Sequence, residues 1–360
     1  MAKEARQSRL DKRLRRIALA LVMLVVLVVC MVVGWYRTSL APVSERTSLM
    51  KVVVNRGESV GAVGRDLAAR GLVRSAAAFS LYGRLHGALA IQAGTYALSP
   101  DMGVPQMFAK LSGGDVVSAA VDVTIPEGYD IADIAATLQR DGVCSAQSFL
   151  RAVQSNDFTQ PFLQRLDGRK QVRYRLEGYL FPDTYQFLRG ENPKDIVNEM
   201  LNDFASRVLT PANLKLMQAS GLSLNQVVTE ASLIENEAEV AQERPLIASV
   251  IDNRLKLHMR LQIDATVDYA IGHHLAVVTD ADILDAKNAY NTYLVAGLPP
   301  GPICSPGLAS IEAVLHPAHT QYLYYVAKED GSGEHYFAQT YAQQLHNEML
   351  AEQNVKRAHS

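Results

Sequence analysis

From Ile17 to Val33 the chain carries only Ile, Ala, Leu, Val, Met and Cys, and Gly34, Trp35 and Tyr36 close the run. About 20 such residues make a helix of roughly 30 Å, the thickness of a bilayer's hydrocarbon core. No later stretch approaches that length. Residues 37–50 read as a polar linker, and then the pattern changes to short alternating runs. Val52–Phe79 and Val121–Phe149 repeat one another, with Gly57 matching Gly128, Leu67 matching Leu138 and Gly71 matching Gly142. Each copy predicts a strand, a Gly turn, a short amphipathic helix, a Gly stop and a second helix opened by Ser75 or Ser145. Ala93–Leu98 predicts a closing strand for the first copy. Residues 154–217 contain helical stretches, with Glu177–Phe187 reading as a shaped loop. Ser223 and Gln226 form a capping box for a helix expected to run as far as Pro245. A second helix starts with Pro245 in its first turn. Segments rich in Gly, Pro and Asn follow, then a helix near Ser310–His316. Tyr322–Lys328 and Glu334–Gln339 predict a hairpin, and a last helix starts at Tyr341 before a polar tail at 351–360.

Charge sets the direction of the apolar run. Lys3, Arg6, Arg9, Lys12, Arg13, Arg15 and Arg16 precede it, against Glu4 and Asp11. A basic flank stays in the cytoplasm, which puts residues 1–16 inside and the bulk of the chain outside. The alternative is a cleaved signal peptide, but its apolar region is shorter and ends in small residues, whereas Trp35-Tyr36-Arg37 follows here. Net charge is −2, so no basic surface suggests nucleic-acid binding. Cys30 lies in the apolar run. Cys144 and Cys304 could pair in an oxidising compartment, but nothing in the sequence implies it. No metal-ligand spacing is present, and the His273-His274 pair reads as a loop feature.

A β-α-α-β unit such as residues 51–120 resembles a LysM module, which binds chains containing N-acetylglucosamine. A small structural spacer is the competing reading.

One carboxylate stands out. At ~100° per residue, Leu224, Val227, Val228, Ala231, Ile234 and Ala238 share a face, and Glu235 falls near its middle. Glu230 and Glu237 fall away from it. Leu233 lies nearly opposite, so the helix is expected to be buried on more than one side. A carboxyl group in an apolar stripe is either a structural ion pair, with Arg244, Arg254 or Arg260 as partner, or a general acid.

The motif Ala231–Ala238, ASLIENEA, resembles the A-S-[IL]-[IV]-E-x-E motif of the endolytic murein transglycosylases, the MltG or YceG-like family. EGYLFPDTY (177–185), NRL (253–255), MRLQIDATVDY (259–269), YNTYLVAGLPPGPICSPG (290–307), HPA (316–318), YLYYVAK and H-Y-F follow in the family's order, covering residues 17–350. The chain departs from the pattern at Ala265 and Ala289, where Pro is usual, and at Cys304-Ser305.

The resemblance implies an α+β fold: a single N-terminal transmembrane helix, LysM-like β-α-α-β units, and a mixed α+β catalytic domain over 121–350 with its catalytic Glu on a helix. It implies a lyase that cuts the β-1,4 bond between N-acetylmuramic acid and N-acetylglucosamine within peptidoglycan strands. The muramoyl 6-hydroxyl displaces the bond and leaves a 1,6-anhydro end, as a terminase of strand elongation would. A non-catalytic glycan-binding scaffold is the rival. The resemblance assigns catalysis to Glu235 and substrate contacts to Gln262, Asp264, Thr266, Tyr290, Asn291 and Tyr293, with Glu177 and Tyr179 at a more distant subsite. It implies no cofactor and no metal. The partners are peptidoglycan strands, the bacterial inner membrane through residues 17–36 and, as a family expectation, peptidoglycan synthases, with the catalytic domain extracytoplasmic.

Overall fold

A computed structural model of the chain describes residues 2–45, 47, 49–86, 91–114, 120–166, 171–272, 275 and 277–358; for residues 2–18 and 20 only the backbone is described. The His273-His274 pair and the side chains of the basic tail therefore lie outside the described residues. The chain is α+β and divides into two units, Met1–Ala120 and Val121–Ser360.

Unit 1 begins with helix α1 (Ala2–Leu40). Its stretch Leu21–Leu40 has a mean hydropathy of 2.2, and the side chains from Leu21 to Trp35 are exposed. Among the described residues it is the one helix long and apolar enough to cross a membrane. The helix continues through residues 37–40, the start of the expected linker, because Leu40 packs against the core of the unit. That core is built by strand β1 (Met50–Val54), helices α2 (Val60–Ala69) and α3 (Ala76–Leu85), strand β2 (Gly94–Leu98) and helix α4 (Val104–Gly113). β1 and β2 are antiparallel, with Val52 opposite Tyr96, and both side chains are buried with Leu67, Phe79, Leu98 and Met107. Ser59 and Ser75 open α2 and α3 by accepting the Ala62 and Ala78 N–H groups.

Unit 2 repeats this opening and then departs from it. Strand β3 (Ala120–Thr124) leads through Gly128 to helices α5 (Ile131–Arg140) and α6 (Ala146–Val153). Gly128 has φ 83, matching φ 79 at Gly57 in the first copy, a left-handed turn that favours glycine. The second copy also has a closing strand, β4 (Thr184–Leu188), paired with β3. The loop expected at Glu177–Phe187 is thus a strand in its second half. Tyr185 and Phe187 point inward, stacked at 5.2 Å, while Gln186 points out. The intervening residues separate β4 from its repeat and hide the correspondence.

Helices α7 (Pro193–Val208), α8 (Pro211–Ser220), α9 (Leu224–Glu237), α10 (Arg244–Lys256), α11 (Asp264–Ile271), α12 (Asp280–Asp285) and α13 (Leu308–Leu315) follow. Strands β5 (Tyr324–Ala327) and β6 (His335–Ala338) form an antiparallel hairpin, and helix α14 (Tyr341–Ala358) extends through most of the expected polar tail. One core joins them, with Phe149, Tyr179, Phe187, Phe204, Val227, Val228, Leu233 and Ile311 all buried. Burial of both Val227 and Leu233 means that α9 is covered on opposite faces.

α9 has the expected capping box, with Ser223 Oγ accepting the Gln226 N–H and the Gln226 side chain accepting the Ser223 N–H. It stops earlier than expected. Ala238 is extended (φ −95, ψ 103), a 3-10 turn spans Ala241–Glu243, and α10 starts at Arg244 with Pro245 in its first turn. The break has a consequence. In a continuous helix Arg244 would stand ~13 Å along the axis from Glu235; the turn folds it back to touch that side chain.

Candidate functional site

Glu235 sits in the last turn of α9, its side chain only 6% exposed. Oε1 accepts from Arg244 Nη2 at 3.2 Å, and Oε2 accepts from the Gly307 N–H at 2.9 Å. Arg244, 13% exposed, is steadied in turn by its Nε donating to Ser310 Oγ on α13. The ion pair that the sequence left open is therefore present, with Arg244 as the partner. The loop carrying Gly307 is fixed on both sides. The Ile303 N–H donates to Ser232 Oγ on α9. Gly128 and Tyr129, in the turn after β3, exchange backbone hydrogen bonds with Ser305: Gly128 N to Ser305 O at 2.9 Å, Ser305 N to Tyr129 O at 2.8 Å.

Glu235 also borders an open cavity of about 520 Å³, lined by Glu127, Gly128, Asp133, Arg140 and Asn236 among others. Gly128, Asp133 and Asn236 are shared with a second cavity, which reaches Glu237, Asp264, Asp268 and Tyr269. Glu237 and Asp264 are shared with a third, lined by Arg254, Gln262, Tyr293, Tyr325 and His335. The three form one polar groove with Glu235 toward one end.

Gln262, Asp264 and Tyr293 line this groove. The Tyr293 hydroxyl donates to Asp264 Oδ1 at 2.5 Å, and burial followed by that carboxylate raises the phenol above its ordinary range. Gln262 has φ 55, a left-handed conformation that costs a residue with a Cβ roughly 1–2 kcal/mol, yet its side chain is exposed to the groove.

The other expected contacts lie inside the fold. Glu177 and Tyr179 are 0% exposed, as are Thr266 and Asn291, and Tyr290 is 2% exposed, so none presents a surface to a sugar. Each joins segments instead. Glu177 accepts the Ile131 N–H at 3.1 Å and lies 2.9 Å from the Tyr269 hydroxyl, tying α5 to α11. The Tyr179 hydroxyl donates to Asn225 Oδ1 on α9. The Thr266 hydroxyl bonds the Ile263 carbonyl and Thr292, while Asn291 Nδ2 donates to the Ile283 and Ala286 carbonyls. Tyr290 packs on Tyr269 at 4.8 Å.

Several groove residues escape sequence reasoning. Glu237, off the Glu235 face as expected, turns to the third cavity, where the Tyr325 hydroxyl donates to it at 2.8 Å and burial raises its carboxyl. His335 Nδ1 lies 2.7 Å from Glu243 Oε2, and its ring meets Tyr325 edge-on. The wheel carried no information on these, because the partners come from the distant hairpin. Glu127 is legible only as part of a Pro-Glu-Gly turn. Glu230, also placed away from the Glu235 face, is 2% exposed and raised by burial, then by Asp252. Cys144 and Cys304 are free thiols. Among the described residues no group of three or more His, Cys, Asp or Glu is arranged for a metal ion.

The YceG-like family model matches residues 52–349. An endolytic murein transglycosylase of Bacillus subtilis strain 168 is 36% identical over 306 residues, spanning 82% of this chain and 84% of the relative. One from Streptococcus pneumoniae strain D39 is 32% identical over 336 residues, 87% of this chain and 60% of the relative. The crystal structure of a YceG-like protein from Listeria monocytogenes superposes with a TM-score of 0.57 at 30% identity, covering 84% of this chain and 99% of that one.

Proposed function

The chain belongs to the YceG-like family, and on that premise we propose that it is a membrane-anchored endolytic peptidoglycan transglycosylase with Glu235 as its catalytic acid. The observation that carries the reading is a nearly buried carboxyl group at the wall of an open polar groove, fixed by a backbone N–H and an arginine. A purely structural ion pair needs no groove. A glycan-binding scaffold needs the groove but not the acid.

Proton transfer accounts for the reaction with little else. Protonated Glu235 keeps the Gly307 N–H at one oxygen and turns the other from Arg244 to the glycosidic oxygen. Once the bond has broken, the muramoyl 6-hydroxyl attacks C1 of its own sugar on the face that the leaving oxygen has vacated, so no water enters. A positioned carboxyl group of this kind contributes ~10²–10⁴-fold. Gln262, Asp264 and Tyr293 would hold sugar hydroxyls and acetamides along the groove. A groove open to solvent leaves room for a strand bound on its interior rather than by its tip. Incubating long glycan strands with the protein tests this: an endolytic enzyme shortens the mean strand length early, whereas release of terminal disaccharides alone contradicts the proposal.

Gln262→Gly separates binding from folding. Glycine removes the left-handed strain, a gain of ~1 kcal/mol that its greater unfolded-state entropy offsets. The melting temperature is expected to stay within ~2 °C, while KM for soluble glycan oligomers rises several-fold. A large drop in melting temperature would place Gln262 in the scaffold.

α1 is the anchor in this reading, with residues 1–16 cytoplasmic and the chain after the anchor outside. The β-α-α-β unit over 51–120 is a LysM-like glycan contact. An exported chain lacking residues 1–36 is expected to cut strands in vitro without restoring strand length in cells, measured by chromatography of released glycans. Full restoration would make the anchor incidental.

A further inference from the structure

In a single-acid cycle Glu235 serves twice, protonating the leaving oxygen and then taking the proton of the attacking 6-hydroxyl. We propose that Glu127 is a second catalytic carboxylate, the base that takes this proton while Glu235 protonates the leaving oxygen. The proposal rests on the transglycosylase reading and deepens it.

Geometry carries it. Glu127 sits in the turn between β3 and α5, clamped through Gly128 and Tyr129 to the loop that ends at Gly307. Its carboxylate lies directly over Gly307: a Cβ added there would fall 1.9 Å from Glu127 Oε1. The same Gly307 donates its N–H to Glu235 at 2.9 Å. Standard backbone dimensions then hold the two carboxylates within about 7 Å of each other. Two carboxylates that close can both reach the oxygens of a single glycosidic linkage. Glycine at 307 is what leaves room for this arrangement, since any side chain there would displace Glu127.

The two groups differ in what their oxygens are doing. Both Glu235 oxygens accept hydrogen bonds, from Arg244 and from Gly307. Glu127 is exposed to the shared cavity and hydrogen-bonds no described residue, so its lone pairs are open to a substrate hydroxyl. Burial and then the charge of Glu235 raise its carboxyl, with Arg244 acting in the opposite sense. Once Glu235 carries the proton for the leaving oxygen, its charge no longer opposes ionisation of Glu127, which is then free to act as the base.

The step balances. The bond from C1 to the leaving O4 breaks first, its electron pair going to O4, and an O6 electron pair then forms the bond to C1 on the face that O4 has left. Glu235 gives its proton to that O4, and Glu127 takes the proton from O6. Transfer of the proton from Glu127 to Glu235, directly or through solvent, restores the starting state.

The test is Glu127→Gln in the full-length chain, assayed on peptidoglycan beside wild type and Glu235→Gln. The expected result is a fall in kcat of ~10²-fold or more, KM changed by less than threefold, an unchanged melting temperature, and loss of the acidic limb of the kcat–pH profile. Residual product should keep anhydro ends. Retained kcat with the same acidic limb overturns the proposal, as does a rise in KM alone, which would make Glu127 a binding residue. Failure of the underlying reading looks different: wild type yields no anhydro ends, or Glu235→Gln remains active, and then the role of Glu127 falls with it.

Discussion

Replacing Glu235 with glutamine should abolish strand cleavage, a loss of at least ~10³-fold, while the protein stays folded. Glutamine is nearly isosteric. Its carbonyl oxygen can still accept the Gly307 N–H, and the α9 capping box and the apolar contacts of Val228, Ala231 and Ile234 are untouched. What the variant lacks is a transferable proton. It also leaves the Arg244 guanidinium, 13% exposed, without its counter-charge, at a cost of ~1–3 kcal/mol. The signature is therefore a modest drop in melting temperature with complete loss of fragments released from sacculi. Residual activity within tenfold of wild type would remove Glu235 from the chemistry.

The second large effect is on stability and its pH dependence. Glu177 is fully buried, and its carboxyl is pushed up to about 8, chiefly by burial and then by the charge of Asp130. The folded chain thus holds this proton more tightly than the unfolded chain does. The resulting stability is complete below the ordinary value of 4.5 and is lost as pH rises through about 8. The window carries roughly 3–5 kcal/mol. Glu177→Gln cannot ionise and keeps an acceptor for the Ile131 N–H, while its amide nitrogen can donate to the Tyr269 hydroxyl that in the wild type donates to Glu177. Wild type should therefore lose more stability than the variant between pH 5 and 8.5 in denaturant titrations. Glu230 and Glu237 are raised in the same direction, so the difference between the two chains is what isolates Glu177. Parallel pH curves for the two chains would contradict the assignment.

The limits of the sequence follow from the same residues. Local signals were readable: the Ser223–Gln226 box, the repeated strand-helix-helix openings, the hairpin around residues 328–334. Each depends on residues close together in the chain. The end of α9 was not readable, because Glu-Ala-Glu-Val-Ala-Gln-Glu contains no helix breaker and the stop is imposed by contacts with other segments, such as Glu243 accepting the His335 N–H. Motif polarity also misled. Glu177, Thr266 and Asn291 look like sugar ligands, yet their partners are backbone groups and the hydroxyls of Tyr269 and Thr292, which only the fold brings to them. Those polar groups are buried and satisfied, which makes them scaffold for the groove rather than its surface. Glu127 had the opposite problem, an ordinary turn residue until Gly307 brings it beside Glu235.

Non-hydrolytic cleavage driven by Glu235 leaves an isotopic signature at the new strand ends. Purified peptidoglycan is digested with the full-length protein in water enriched in oxygen-18, and the new strand ends are weighed. The account predicts muramoyl ends lighter than reducing ends by one water and free of the heavy isotope. Reducing ends that carry oxygen-18 would contradict it and make the protein a hydrolase.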